Sequence, residues 1–235
     1  MKALRFLLII VCTLSLTGCA STKQADSDSS LGKAQQTLDS LYQHYSAKDS
    51  YLLRESYPFD EQHKVTYLAS EDQANMPNQF SYLWPYSGTF SAVNALLEAT
   101  HDKKYQQLLD KRVLPGLEEY FDIQRTPNAY SSYIQTAPTS DRFYDDNVWL
   151  GIDFTDIYQI TQEKRYLDKA QLIWKFIESG TDSLLGGGIY WCEQKKESKN
   201  TCSNAPGSVL ALKLFKATND SIYFRQGKEL YEWTQ

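Results

Sequence analysis

Two acidic side chains stand side by side at Asp145-Asp146, inside the run Arg142-Phe143-Tyr144-Asp145-Asp146-Asn147-Val148-Trp149-Leu150-Gly151. One aspartate at a helix start has a structural explanation, since Asp caps exposed N–H groups and offsets the macrodipole. Two of them ahead of an apolar helix are a heavy charge load unless they open onto a water-filled cleft. Successive helical residues project about 100° apart, with tips able to lie roughly 5 Å from each other. Carboxyls about 5–5.5 Å apart suit double displacement at a sugar's anomeric carbon, one ionised as nucleophile and the other held protonated as general acid. Asp145 and Asp146 are therefore the candidate catalytic pair of a glycan-cleaving enzyme.

A second cluster follows at Gly186-Gly187-Gly188-Ile189-Tyr190-Trp191-Cys192 and Lys199-Asn200-Thr201-Cys202-Ser203-Asn204-Ala205-Pro206-Gly207. Three glycines with no following Lys-Ser/Thr do not make a phosphate loop. They let backbone pass close to another surface, with Trp191 beside them as a ring on which a sugar can stack. Asn200, Ser203 and Asn204 have two readings: partners for sugar hydroxyls, or, for Ser203 and Asn204, the N-cap of the next helix.

The elements that must hold these groups come from a repeat. Thr-x-(Asp/Glu)-x-x-Tyr occurs at Thr100, Thr161 and Thr218, a spacing of about 60 residues that marks a repeated supersecondary unit. Before the middle copy, Val148, Trp149, Leu150, Ile152, Phe154, Ile157 and Ile160 surround a helix that reads as buried on most sides. After it, Tyr166, Ala170, Ile173, Trp174 and Ile177 form one stripe, with Asp168, Lys169, Gln171, Lys175 and Glu178 off it. The unit is an inner helix, a short turn and an outer helix. The return segments, about 58–83, 123–143 and 180–204, exceed the roughly 12–15 residues usual for structureless loops, so they should crowd one binding rim. Pro115 should kink or restart the first outer helix. A further helix over about 34–57 brings the total to about seven. The class is all-α, and such hairpins can stack openly or close into a toroid.

Bulk properties bound the partners. A net charge of -5 excludes a nucleic-acid reader, which needs a basic surface. The 3 histidines form no metal-ligand cluster, so no metal or other cofactor is expected. Tyr and Trp are abundant, at 17 and 5, which serves both helical cores and sugar clefts. Lys2, Arg5 and the apolar run to Leu16 read as an export signal too short to span a bilayer. Leu16-Thr17-Gly18-Cys19 resembles a bacterial lipobox; the other reading is a plain secretory signal. The lipobox divides the chain into a signal peptide at 1–18, lipidated Cys19 with a Ser-rich tether at 19–32, and a folded domain at 33–235. Ala20 and Ser21 then suggest outer-membrane sorting, with membrane contact only through the anchor. Export permits a disulfide between Cys192 and Cys202.

The combination Tyr144-Asp145-Asp146-Asn147-x-Trp149, Gly186-Gly187-Gly188-Ile189-Tyr190-Trp191 and Lys199-Asn200-Thr201-Cys202-Ser203-Asn204-Ala205-Pro206 resembles glycoside hydrolase family 76, the endo-α-1,6-mannanases, over about residues 34–235. The resemblance implies an (α/α)6 toroid and retaining cleavage of α-1,6-linked mannan backbones without metal. It assigns Asp145 as nucleophile and Asp146 as acid/base, and adds Tyr144 and Asn147 to Trp191, Asn200 and Asn204 as substrate-binding residues. A family toroid has six hairpins and this chain supplies little more than three, so a partial toroid is expected, from a fragment or a split gene product and acting as a monomer. The rivals are a non-catalytic glycan-binding lipoprotein and an open repeat scaffold that binds protein.

Overall fold

The computed structural model describes residues 29–62 and 78–235. Cys12, Cys19 and most of the tether lie outside the described residues. Seven helical rods run through the rest: α1 (Ser30–Tyr45), α2 (Leu83–Thr100), α3 (Lys103–Leu108), α4 (Tyr144–Thr161), α5 (Lys164–Ser179), α6 (Thr201–Thr218) and α7 (Ser221–Trp233). The α3 rod continues through a π-helical turn at Leu109–Val113 into Leu114–Glu118. Inner helices α2, α4 and α6 lie side by side, and each packs against the outer helix that follows it. Among the described residues the only strands are the antiparallel pair β1 (Phe121–Asp122) and β2 (Ala129–Tyr130), in the second return segment.

The repeated motif is a helix-stop and helix-start device. His101, Gln162 and Asn219 end the inner helices in the left-handed region, at φ 55°, 60° and 60°. Each donates its backbone N–H four residues back, to Leu97, Tyr158 and Phe215. The threonine hydroxyls of Thr100, Thr161 and Thr218 donate to the carbonyls of Leu96, Ile157 and Leu214 and accept the N–H of the acidic residue two positions on. Asp102 and Asp220 then cap the outer helices by accepting from Lys104 and Ile222, both at 2.9 Å. The tyrosines join one repeat to the last: Tyr105 accepts from Gln35 of α1, Tyr166 donates to Asp110, and Tyr223 accepts from Gln171 of α5.

Two expected boundaries move. Helix α1 begins at Ser30, because the Ser29 side chain accepts the Gly32 N–H at 3.0 Å, so the last tether residues are helical. It stops at Tyr45 rather than near Tyr57. Ser46 turns extended and bridges to Leu53, and Leu52 and Leu53 bury as loop anchors instead of as a helical stripe. The third return ends at Asn200, since α6 starts at Thr201. Pro115 is absorbed by the π turn before it; the Val113 carbonyl in that turn accepts from the Tyr86 hydroxyl at 3.0 Å. The α5 stripe is buried as its periodicity requires, but Trp149 on α4 is 40% exposed.

The start of α4 is held by a buried cation. Arg142, with 0% of its surface exposed, donates to Glu193 through Nε at 2.7 Å and again through its second terminal nitrogen. Its other terminal nitrogen donates to the Pro127 carbonyl at 2.8 Å and lies 3.7 Å from Asp122. One side chain thereby ties the β1–β2 return, the 180–200 return and the root of α4. Arg142→Met should lower unfolding stability by about 3–5 kcal/mol, because it leaves the Glu193 carboxylate without its cation, while Asp122 keeps Arg125. Denaturant melts check this, and a loss below about 1 kcal/mol would contradict it.

Asp153 sits between α4 and α2, 5% exposed, with Ser91 donating to it at 2.8 Å. Burial pushes its pKa from 3.8 up to about 7, against the opposing Ser91 hydrogen bond. A folded pKa above the unfolded one means stability fully present below 3.8 and lost as pH rises through about 7. Asp153→Asn should therefore melt progressively higher than the parent as pH rises through that window, whereas parallel melting curves would contradict the assignment.

Candidate active site

Phe143 is extended just before α4 and makes no side-chain cap; the entry is set by backbone pairing instead. Phe143 bridges to Cys192, the Tyr144 N–H donates to the Trp191 carbonyl at 2.9 Å, and the Glu193 N–H donates to the Arg142 carbonyl at 3.0 Å. Trp191 in turn donates its N–H to Ser198 at 3.1 Å, and Tyr190 bridges to Lys199. The buried Lys199 ammonium donates to Asp182 and to the Leu184 carbonyl at 2.8 Å, which pins the glycine run from below. Gly186, Gly187 and Gly188 all have positive φ, and a Cβ on Gly188 would lie 2.7 Å from the Asn204 side chain and 2.9 Å from the Trp233 ring. The close approach anticipated for these glycines is thus present.

This pairing presents Asp145 and Asp146 to a cleft of ≈ 540 Å³. Its walls are aromatic: Trp84 and Trp149 meet edge-on at 6.4 Å, and Trp191 packs on Phe143 at 5.0 Å. Tyr82, Pro85, Ser132, Glu55 and Cys202 complete it, with Glu55 accepting the Tyr82 N–H at 2.9 Å. Aromatic rings and a few convergent polar groups are what a sugar-binding cleft needs.

The two acids have unequal surroundings. Asp145 receives the Trp191 indole N–H at 3.1 Å and the Asp146 backbone N–H at 3.1 Å. Burial raises its pKa, while the nearby Cys202 thiol and the hydrogen bonds from Asp146 and Trp191 oppose the rise. Asp146 is 9% exposed, and no described residue donates a hydrogen bond to its carboxyl. Burial first, and then the charge of Asp145, push its pKa well above the ordinary carboxylate range. A site with one supported carboxylate and one carboxyl kept protonated can supply a nucleophile and an acid at the same pH.

Among the expected substrate-binding residues, the structure brings only Trp191 to the cleft. Tyr144 is fully buried and stacks on Phe176 at 4.5 Å. Asn147 is fully buried and clamps the Tyr130 backbone, accepting its N–H and donating to its carbonyl, both at 2.9 Å. Asn204 does the same to Ile189, at 2.6 and 2.9 Å. Both amides are engaged by backbone and neither lines the cleft, and Asn204 is not the N-cap. Asn200 is the N-cap residue, makes no side-chain cap, and does not line the cleft.

Cys192 and Cys202 are free thiols rather than a disulfide: Cys192 is buried in the strand pairing, while Cys202 is exposed beside Asp145. Among the described residues no group of acids, His and Cys is arranged to hold a metal. A second cavity of ≈ 510 Å³ lies beneath the glycines between α5 and α7, but its Asp182 and Glu178 are engaged by Lys199 and Gln226.

Trp84, Tyr82, Ser132 and Glu55 also line the cleft, outside the motifs read above, and Trp149 faces it instead of the core. Two signals pointed to the tryptophans. Trp149 follows the acids by one helical turn and shares their face, and Trp84 occupies in α2 the second position that Asp145 occupies in α4.

Comparison with known proteins gives the frame for this geometry. A family 76 glycoside hydrolase (mannosidase) from Bacteroides thetaiotaomicron VPI-5482 is similar at 29% identity and a TM-score of 0.72, covering 86% of this chain and 52% of that one. A family 76 enzyme from a bovine Bacteroides thetaiotaomicron strain shares 28% identity with a TM-score of 0.71, over 88% of this chain and 42% of its own. An inactive variant of the α-1,6-mannanase GH76A of Salegentibacter sp. HEL1_6, with two consecutive aspartates replaced by asparagine, was solved with α-1,6-mannotriose. At 24% identity and a TM-score of 0.63, over 86% of this chain and 50% of that one, it shows the fold alone. This chain therefore spans about half the length of the structures it matches, as an incomplete helical toroid. No curated protein matches it by sequence. Since the model of glycosyl hydrolase family 76 matches residues 56–235, most of the molecule and the whole of the cleft except Glu55, the chain belongs to that family.

Proposed function

We propose that the protein acts on the backbone of α-1,6-linked mannan as a retaining, endo-acting glycoside hydrolase, from a lipid anchor at Cys19 on the outer membrane and as a monomer. The observation that carries the reading is the unequal pair: Asp145 held by donors, Asp146 buried without any, both facing one aromatic cleft. The Salegentibacter variant supports it, since two neighbouring aspartates were replaced there to give an inactive protein holding α-1,6-mannotriose.

In this reading the Asp145 carboxylate attacks the anomeric carbon while Asp146 gives its proton to the departing glycosidic oxygen. A bond to Asp145 forms as the glycosidic bond breaks. Asp146, now a carboxylate, takes a proton from water, whose oxygen displaces Asp145 and regenerates both groups. Trp84, Trp149 and Trp191 offer faces for neighbouring sugars.

Glycan binding without cleavage is the second reading, and the aromatic walls of the cleft, Trp84, Trp149 and Trp191, would serve it as well. Release of reducing ends from debranched α-1,6-mannan separates the two. Asp145→Asn and Asp146→Asn should each lower the rate by about 10³ or more with the fold retained by circular dichroism. Activity at a tenth of the parent or above would remove that residue from the mechanism. A parent that binds α-1,6-mannotriose but releases no product would establish the second reading.

The pH dependence follows from the same assignment. Activity should fall at low pH as Asp145 protonates and at high pH as Asp146 ionises, giving a bell whose two pKa values belong to the pair. Both groups are raised, so the bell should lie above the ordinary carboxylate range. A profile flat from weakly acidic to neutral pH would contradict this.

A further inference from the structure

Beside the cleft lies a further cavity, of ≈ 300 Å³, walled by parts of the first and second return segments. Tyr82 borders both hollows, and two successive residues divide between them: Ser132 lines the cleft and Tyr133 lines the cavity. The walls are braced from within the protein. The Tyr133 ring packs on Tyr82 at 4.7 Å, and its hydroxyl accepts the Phe80 N–H at 3.2 Å. Buried Asn78 donates to the Phe80 carbonyl at 2.9 Å, and the Leu83 N–H donates to the Ser132 carbonyl at 2.9 Å. No Asp, Glu, Lys, Arg or His lines this cavity, whereas Glu55, Asp145 and Asp146 all line the cleft. A charged ligand would lose hydration there and meet no countercharge. What the lining offers is ring surface from Phe80, Tyr82, Tyr133 and Pro138, with Thr136 and Thr139 at the exposed rim. Among the described residues, none hydrogen-bonds to either threonine hydroxyl.

We infer that this cavity is a second glycan site, which takes one neutral hexose on the far side of Tyr82 from the acids. Apolar ring faces with a few hydroxyls at the rim suit a ligand that is itself a ring edged with hydroxyls. The absence of charge in the lining selects against acidic and amino sugars. A sugar held there is bound and not cleaved, because the cavity contains neither Asp145 nor Asp146. The choice of mannose among neutral hexoses rests on the proposed function, while the site itself does not.

The experiment titrates the full chain with methyl α-mannoside and reads two sets of NMR signals. The Ile134 and Ala137 methyl groups report the cavity, and the indoles of Trp84, Trp149 and Trp191 report the cleft. The two methyl signals should shift and saturate at roughly millimolar sugar. Thr139→Trp, which fills the rim from an exposed position, should abolish those shifts while the indoles still respond to α-1,6-mannotriose. Thr136→Ala combined with Thr139→Ala should weaken binding about threefold or more, by removing the rim hydroxyls. Methyl α-mannuronide, the same ring with a carboxylate in place of the primary alcohol, should bind about tenfold or more weakly. Methyl signals unmoved at about 50 mM sugar would overturn the inference. So would shifts of equal size and affinity in both rim variants, or equal affinity for the uronide. None of these readouts requires turnover, so failure to cleave mannan would count against the proposed function alone.

Discussion

The candidate site depends on a short backbone splice. Residues 142–144 pair with 191–193, and the splice is locked by Arg142, a guanidinium with no exposed surface whose partners come from two separate return segments. A buried cation is tolerable only when its donors are used, and here they are spent on Glu193 and on loop carbonyls. Burial alone would push the Glu193 carboxyl up, yet Arg142 holds it below its usual range, so the lock is charged on both sides at neutral pH. The first turn of α4 follows directly from that lock. The acids therefore inherit their position from loops, although they sit on a helix.

The repeat explains how so much loop can be ordered. Asn147 and Asn204 each stand fourth in an inner helix and each bind both backbone groups of one residue in the return segment before it. A single amide satisfies an N–H and a C=O that would otherwise be buried unpaired, which is costly enough to fix the loop against the helix. The same register places Trp84, Asp145 and Cys202 at the cleft. One structural device, used repeatedly, both orders the rim and chooses what faces the ligand.

Much of this was legible from residue order. The helix hairpins follow from apolar periodicity and the Thr-x-(Asp/Glu)-x-x-Tyr recurrence, because those signals are local. The acids at the helix mouth beneath a long return were legible for the same reason. What failed was the assignment of polar residues whose partners are distant in sequence. Asn147 and Asn204 look like ligand-binding amides until Tyr130 and Ile189 are seen beside them. The end of α1 failed because Leu52 and Leu53 carry an apolar signal that serves a loop. Cys192 and Cys202 are close enough in sequence to pair, but one closes the strand splice and the other faces Asp145. Glu55 and Tyr82 meet at the cleft although they stand 27 positions apart in the sequence, and no short-range pattern announces it.

The central claim is that Asp145 bonds to the sugar while Asp146 handles the proton. Incubation with a 2-fluoro-substituted α-mannosyl donor carrying a good leaving group, which slows the second displacement, tests it most directly. Peptide mass mapping after quenching should find a single fluoromannosyl adduct on Asp145, absent from Asp145→Asn. An adduct on Asp146 or elsewhere, or product of inverted configuration with no adduct, would contradict the account.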